Sequence, residues 1–445
     1  MIQRLFKVGF LKTALRILLV LVAVFALCSP LMFWPAEEAG LSGTQLAQAT
    51  VTIPSPVVVT ATLAPPETTA PSTTVSTAAQ PSTTTTTTEP VLSATVAAVG
   101  DVLPHVPIMR GAYNPAAKVY DFRPLFAAVA PYISRADYAV ANLESKVAGE
   151  DFGYSGYPLF NCPTSIAYAL RSIGFDLMAT ANNHTFDFGW EGIVATLENL
   201  ERFGLAHVGT YRSLEERRKP FVVDVRGIKV AFLNYTSWLN GFIVPRDRQS
   251  YAVNMLDVDQ VAEDAMAARM EGAEIVIAML HYGVEYERVP SQEQTKISEE
   301  ILSRGVDVVL GAHPHVVQPI AHLFDFSSWR VNDKYVVYSM GNFASAQRWR
   351  YSDSGIIVYV ELRKQGQRAY VAGISYLPVY VQRSTVTYPP QYRVLPVLPG
   401  YAPISDLPLT REDTERMTQV WEELRDMLYR PDEGIQPLDP SVLGL

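Results

Sequence analysis

Five short apolar runs in this sequence are each followed at once by residues that bind metal ions or move protons. Ala94–Val99 leads to Asp101 and His105, Tyr138–Ala141 to Glu144, and Leu177–Ala181 to Asn183 and His184. Ile275–Leu280 leads to His281, and Val306–Leu310 to His313 and His315. Any one of these histidines, taken singly, fits an ordinary hydrogen-bonded imidazole. Their repeated placement just past apolar strands, with only His207 and His322 of the seven histidines elsewhere, points instead to a shared metal site. Two divalent ions about 4 Å apart want a bridging carboxylate, terminal imidazoles and neutral oxygen donors around an activated water. Mixed nitrogen and oxygen ligands suit Zn, Mn, Fe or Co better than Ca or Mg, and do not choose among the four.

Those residues converge only if their strands lie side by side, since the carboxyl ends of strands in an open α/β sheet line one crevice. The periodicity supports that arrangement. Helical faces recur at Leu125 to Ile133, Ile166 to Ile173, Ile193 to Leu200, Val258 to Met270 and Ser291 to Arg304, alternating with the strands. Phe221–Val225 and Ile228–Leu233, joined at Arg226-Gly227, read as a hairpin. Tyr335–Ser339, Ile356–Glu361 and Tyr370–Tyr376 read as an antiparallel run consistent with a second sheet. The pattern predicts an α/β fold whose sheets are covered by helices. Thr410 to Tyr429 reads as a closing helix with Thr410 as N-cap; Glu412 and Asp413 then serve the helix dipole and are not ligands.

The amino-terminal part is of another kind. Arg4, Lys7, Lys12 and Arg16 precede the uncharged run Ile17 to Trp34, long enough to span a bilayer with its basic flank in the cytoplasm. A cleaved signal peptide is the competing reading, and both export the remainder. Cys28 follows Phe25-Ala26-Leu27, a poor context for lipid attachment, and Cys162 is the one other cysteine, so the main domain has no disulfide framework. From Leu41 to Pro90 the chain is rich in Thr, Ser, Pro, Ala and Val, which reads as a disordered stalk. The expected organisation is an anchor at 1–40, a stalk at 41–90, a main domain at 91–400 and a helical extension at 401–445. A net charge of −9 over 445 residues, with no basic cluster in the main domain, argues against a nucleic-acid partner.

The runs Ala98-Val99-Gly100-Asp101, Asn142-Leu143-Glu144, Ala181-Asn182-Asn183-His184, His281 to Tyr286, Gly311-Ala312-His313-Pro314-His315 and Ser339 to Phe343 resemble, in order, the motifs of the CapA family of capsule and poly-γ-glutamate proteins. The resemblance covers roughly Ser93 to Gln382. That family is similar to the calcineurin-like metallophosphoesterases, which implies a two-sheet sandwich flanked by helices. Carried over by motif, it implies that Asp101, His105 and His315 hold one divalent ion, that Asn183, His281 and His313 hold a second, and that Glu144 bridges them. His184 is then the acid that protonates the leaving group. Two departures stand out: Asp101 and His105 are four apart where the phosphoesterases space them by two, and the bridge is Glu144 where they use Asp. Tyr154 and Tyr157, Asn342 and Arg348 lie in segments that resemble family segments near the pocket. Arg348 or Arg350 has the planar fork to clamp a carboxylate or phosphate, and Glu285, close to His281, is expected to orient a ligand. Asn183-His184-Thr185 and Asn234-Tyr235-Thr236 also match glycosylation acceptors, the first by accident of its position.

The expected function is a hydrolase or transferase acting outside the membrane on an anionic polymer or its precursor, anchored to the cell membrane by a single span. Two other classes compete: a non-catalytic partner of membrane polymer synthase subunits, in which the metals serve only to bind polyanion, and a surface adhesin on a stalk. A purely binding site needs no proton donor such as His184, and an adhesin leaves the strand-end residues without a purpose.

Overall fold

The computed structural model describes residues 90–325, 332–400 and 408–445. The apolar run Ile17 to Trp34 and the Thr-rich segment to Glu89 lie outside the described residues; among those described, no helix is long and apolar enough to cross a membrane.

Strands β1 (Val91–Leu103), β2 (Tyr138–Leu143), β3 (Leu177–Ala179) and β4 (Ala206–Val208) run parallel at one end of a first sheet. Strands β5 (Val222–Val225), β6 (Ile228–Thr236), β7 (Ile275–His281), β8 (Val308–Ala312), β9 (Ile320–Asp325) and β10 (Asn332–Val337) form a second, in the order β9-β10-β8-β7-β6-β5. The chain then returns to the first sheet. Strand β11 (Asn342–Ser345) pairs with the end of β1, and β12 (Ser354–Gln365), β13 (Arg368–Ser384) and β14 (Gln391–Pro396) extend that sheet antiparallel beyond β1. The nine-stranded sheet is completed by β15 (Ile435–Pro437) against β13.

Strand alternation explains why the sheets stack. In β1, Val96 and Ala98 face an interior shared with Val230 and Phe232 of β6, Ile277 and Met279 of β7, and Leu310 of β8. The intervening Ala97 and Val99 face outward, where Phe126, Ile166, Leu170 and Leu200 cover them. This is the period-two pattern of a strand buried on both faces. The outer face of the second sheet is covered in the same way by helices Val258–Met270 and Gln292–Ser303. The expected two-sheet sandwich flanked by helices is therefore present. Helix Arg411–Leu428, capped by Thr410 with Asp413 in a reciprocal capping box, buries Met417, Val420 and Leu424 against the core, and β15 after it pairs with β13 in the first sheet.

The helix expected over Leu125 to Ile133 is two short turns, Arg123–Phe126 and Ala130–Ser134, each opening on a proline, Pro124 and Pro131. Proline suits a first helical turn and interrupts a longer one.

The two sheets touch closely where the site residues emerge. The Asp101 amide donates to the Gly341 carbonyl at 3.0 Å, and a Cβ on Gly100 would lie 2.0 Å from that oxygen. Gly100→Ala should therefore force the β1 end and the 339–342 turn apart. We expect a loss of about 1–3 kcal/mol in urea unfolding, the range for overpacking, together with weaker metal retention because Asp101 moves with the strand. Wild-type stability in this variant would show that the contact is not structural.

Candidate metal centre

Register in the parallel strands brings the site together. Asp101 of β1 is level with Asn142 of β2, and Ala312 of β8 is level with His281 of β7. Two groups of donor atoms result, each with its atoms within 4.8 Å of one another: Asp101, Glu144 and His315, and Glu144, His281 and His313. Glu144 belongs to both. All five residues are buried, Asp101, Glu144 and His281 at 0% exposure.

Glu144 carries the decisive feature. Its Oε1 lies 3.5 Å from His281 Nε2 and its Oε2 3.8 Å from His315 Nδ1, so each oxygen faces one group. Among the described residues neither oxygen has a hydrogen-bond partner, and buried His313 Nδ1 has none either. Leaving buried polar atoms unpaired costs about 1–3 kcal/mol each, and such atoms ask for a ligand. Burial, then the neighbouring Asp101, pushes the Glu144 carboxyl well above its usual range. Burial and the other imidazoles push His281 well down, and burial takes His313 down to about 3. His281 and Glu144 are thus both disposed to be neutral, and their approach is not an ion pair. Neutral imidazoles beside a carboxyl whose ionised form only a nearby cation would favour form a donor set that fits divalent cations.

The surrounding residues hold these donors in place. Asp101 Oδ2 lies 2.9 Å from His315 Nδ1, while its Oδ1 accepts from Asn142 Nδ2 at 2.8 Å and from the His313 amide at 3.3 Å. Asn142 Nδ2 also lies 3.3 Å from His281 Nδ1, and His281 Nε2 lies 3.0 Å from Asn183 Oδ1. His313 and His315 both have positive φ, 99° and 59°, an unusual conformation for non-glycine residues that concentrates at functional sites. The Trp238 ring meets His313 edge to face at 4.2 Å.

The loop bearing Asn183 and His184 is pinned from both sheets. Asn182 Nδ2 donates to the Leu143 carbonyl at 2.8 Å, and Asn234 of β6 accepts from the Ala181 amide at 2.7 Å and donates to Met279. Asn234 is 1% exposed, which closes that glycosylation motif in the folded chain. His184 Nδ1 lies 2.8 Å from Asp187 Oδ2, the Phe160 amide donates to the same oxygen at 2.7 Å, and the Phe160 ring packs on His184 at 4.7 Å. Asp187 leaves Nε2 as the nitrogen available to a substrate.

The remaining sequence candidates fall in different places. His105 belongs to neither donor group: its Nδ1 lies 2.9 Å from the Leu103 carbonyl, its ring packs on Phe160, and burial lowers it to about 4. Tyr154 packs on Tyr120, and Tyr157 is exposed. Asn342, level with Asp101, donates to Gln347 and to the Ser352 carbonyl, and its buried Oδ1 has no partner. Glu285 is exposed beside Tyr286, whose ring lies 5.9 Å from His315. Arg348 donates to the Val381 carbonyl and covers the Tyr392 ring, and Arg350 pairs with Glu423. Of the two histidines set aside, His207 meets Glu201 and His322 meets Asp333. A third cluster, Glu201, His207 and Glu216, is already bridged by Arg212.

Asp187, Asn142, Trp238 and Tyr286 are site residues that sequence reasoning did not assign. Asn142 and Tyr286 lie inside quoted motif runs and Asp187 stands three residues after the candidate proton donor, whereas nothing in the sequence marks Trp238.

The chain is 26% identical over 269 residues to the capsule biosynthesis protein CapA of Bacillus anthracis, covering 59% of this chain and 62% of that one. It is 27% identical over 247 residues to the PGA biosynthesis protein CapA of Bacillus subtilis, covering 54% and 62%. The chain thus matches less than two thirds of the length of either relative. Among solved structures, the calcineurin-like phosphoesterase YfkN of Bacillus subtilis aligns over 76% of this chain and 99% of its own at 15% identity and a TM-score of 0.38; the sandwich itself is established by the strand pairing. Residues 95–347, more than half of the chain and spanning every donor of the centre, match the model for the bacterial capsule synthesis protein PGA_cap, and the chain belongs to that family.

Proposed function

We propose that this chain is a metal-dependent hydrolase or transferase that acts on an anionic polymer, or its precursor, during capsule or polyglutamate synthesis. The observation that carries the reading is the pair of buried, unpartnered Glu144 oxygens, one facing each imidazole group. Asp101 and His315 would hold one divalent ion, His281, His313 and Asn183 the other, with Glu144 between them and His105 at the edge of the first. Bound there, such ions supply Lewis-acid polarisation and an activated water.

The chain's own part in the reaction is proton transfer and orientation. Asp187 accepts from His184 Nδ1 and stabilises the imidazolium, so that Nε2 can deliver a proton to a leaving group. Phe160, against both His184 and His105, shields that side of the site from water. The His184–Asp187 pair favours catalysis over mere polyanion binding, because a binding site has no use for an oriented acid. The basic flank and apolar run at the amino terminus support membrane anchoring with the main domain outside, where synthase subunits would be neighbours.

The test is metal content of the purified protein together with product analysis after incubation with poly-γ-glutamate and with generic phosphoesters. Bound metal with chain shortening or transfer supports the proposal. Bound metal with no turnover on any substrate favours the non-catalytic partner, and no metal at all defeats both readings.

A further inference from the structure

Beside the metal centre the surface carries an aromatic ledge, and two residues from its first ring in sequence stands an arginine with no carboxylate partner among the described residues. Tyr286, whose ring is 5.9 Å from His315, is followed by the Trp349 ring at 6.4 Å. Both are open to solvent, Trp349 at 66%. Two residues after Trp349 in sequence, Tyr351 has Arg288 over its ring at 4.0 Å and Arg350 at 4.3 Å. The ledge is held by short-range contacts: Gln347 donates to the Tyr286 hydroxyl at 3.2 Å, and the Tyr286 amide donates to the Pro314 carbonyl at 2.8 Å. Tyr286 and Tyr351 both have positive φ, 66° and 72°, a backbone cost that persists only where the surroundings enforce it.

Charge distinguishes the two arginines. Arg350 is paired with Glu423, which Arg416 also reaches, and Arg416 is paired in turn with Asp353. Arg288 has no carboxylate within ion-pair distance among the described residues. Its Nη2 lies 3.9 Å from the Met427 sulfur, it shares the Tyr351 hydroxyl with Arg350, and its buried Nε has no partner among the described residues. A thioether is a weak acceptor, whereas a guanidinium offers five donors in a fork that matches a carboxylate. Aromatic faces beside a cation also suit the apolar stems between charged groups on a chain.

We infer that Arg288, with the Tyr286–Trp349 ledge, forms a second subsite that takes a carboxylate of an extended polyanionic substrate a few residues away from the group held at the metal centre. This rests on the proposed function for its substrate class, but the subsite needs no metal.

The experiment is binding of a ten-residue poly-γ-glutamate oligomer to the full-length protein, read by calorimetry and by tryptophan fluorescence, with and without chelator. The same-length oligomer with amidated side chains and an inorganic polyphosphate of equal charge are the comparison probes. Arg288→Gln should weaken the carboxylate oligomer at least tenfold in both metal states and flatten its salt dependence, with an unchanged melting temperature. Arg288→Lys should recover part of the affinity, because it keeps the charge and loses the fork. Unchanged affinity in Arg288→Gln, an equal loss for the amidated oligomer, or tighter Arg288-dependent binding of polyphosphate than of the carboxylate oligomer would overturn the inference. Arg288-dependent binding without any turnover would sink the hydrolase reading while leaving the subsite standing, and turnover with Arg288-independent binding would do the reverse.

Discussion

Glu144→Gln should abolish stable metal binding and at the same time make the metal-free protein more stable. The two effects have one cause. Glu144 is fully buried beside Asp101 with neither oxygen partnered, and burial raises its carboxyl well above the usual range. A raised carboxyl pKa means that the folded, metal-free state favours the protonated form. Its contribution is therefore fully present below the unfolded value near 4.5 and is lost as pH rises through the higher folded value. At neutral pH the metal-free wild type must hold either a buried charge or the proton that opposes it, and glutamine is neutral at every pH. We expect metal-free Glu144→Gln to unfold at higher urea than metal-free wild type at pH 7.5, by about 1–3 kcal/mol, with the difference shrinking toward pH 4. Adding Mn or Zn should reverse the order, because only the wild type gains stability from the ion. Loss of the shared charge should cost activity at least about 10³-fold, on the scale of several kcal/mol that metal polarisation supplies. Urea titrations of both proteins across pH, with and without metal, read the crossover directly. A variant that still gains stability from metal as the wild type does would remove Glu144 from the bridging position.

The parts of this site that could be read from sequence are those fixed by strand geometry. Asp101, Glu144, His281, His313 and His315 each follow an apolar run, and parallel pairing of those runs is enough to bring them together. His105 resists the same reasoning because four residues separate it from Asp101. The chain turns at Pro104 into the helix at Val106–Ala112, and the imidazole is spent partly on the Leu103 carbonyl. Arg348 and Tyr154 were expected because their segments resemble family segments near the pocket, and the partners they meet here, Val381 and Tyr120, are set by tertiary packing that the sequence does not display. Strand β11 escaped notice because it is four residues long and begins with Asn342, with none of the alternation that marks a strand. It is nonetheless what brings the 339–342 turn against Asp101. Charge balance was the least legible feature, since whether an arginine is neutralised depends on carboxylates far away in the chain, as Arg350 and Glu423 illustrate.

His184→Asn should leave metal content near that of the wild type and slow turnover by about 10²–10⁴-fold, the usual worth of a positioned acid. The loss should be largest for substrates with poor leaving groups, because an activated leaving group departs without a proton. His184 lies in neither donor group, so its removal takes no donor from the Asp101, Glu144 and His315 set or from the Glu144, His281 and His313 set. Asp187→Asn separates orientation from proton supply: it keeps the imidazole but replaces the carboxylate oxygen 2.8 Å from Nδ1 with a neutral amide group. That variant should show the same leaving-group trend with a smaller loss, together with a shifted acidic or basic limb in its pH–rate profile, which a purely structural role would not produce. Its stability should also fall, since the Phe160 amide depends on the same oxygen at 2.7 Å. The measurement is hydrolysis of esters or amides of graded leaving-group acidity by the three proteins at matched metal content, with a pH profile for each. Equal losses across the series would leave His184 as a positioning residue. A large metal deficit in His184→Asn would make it a ligand instead, and Asn183 alone would then no longer account for the open side of the His281 and His313 group.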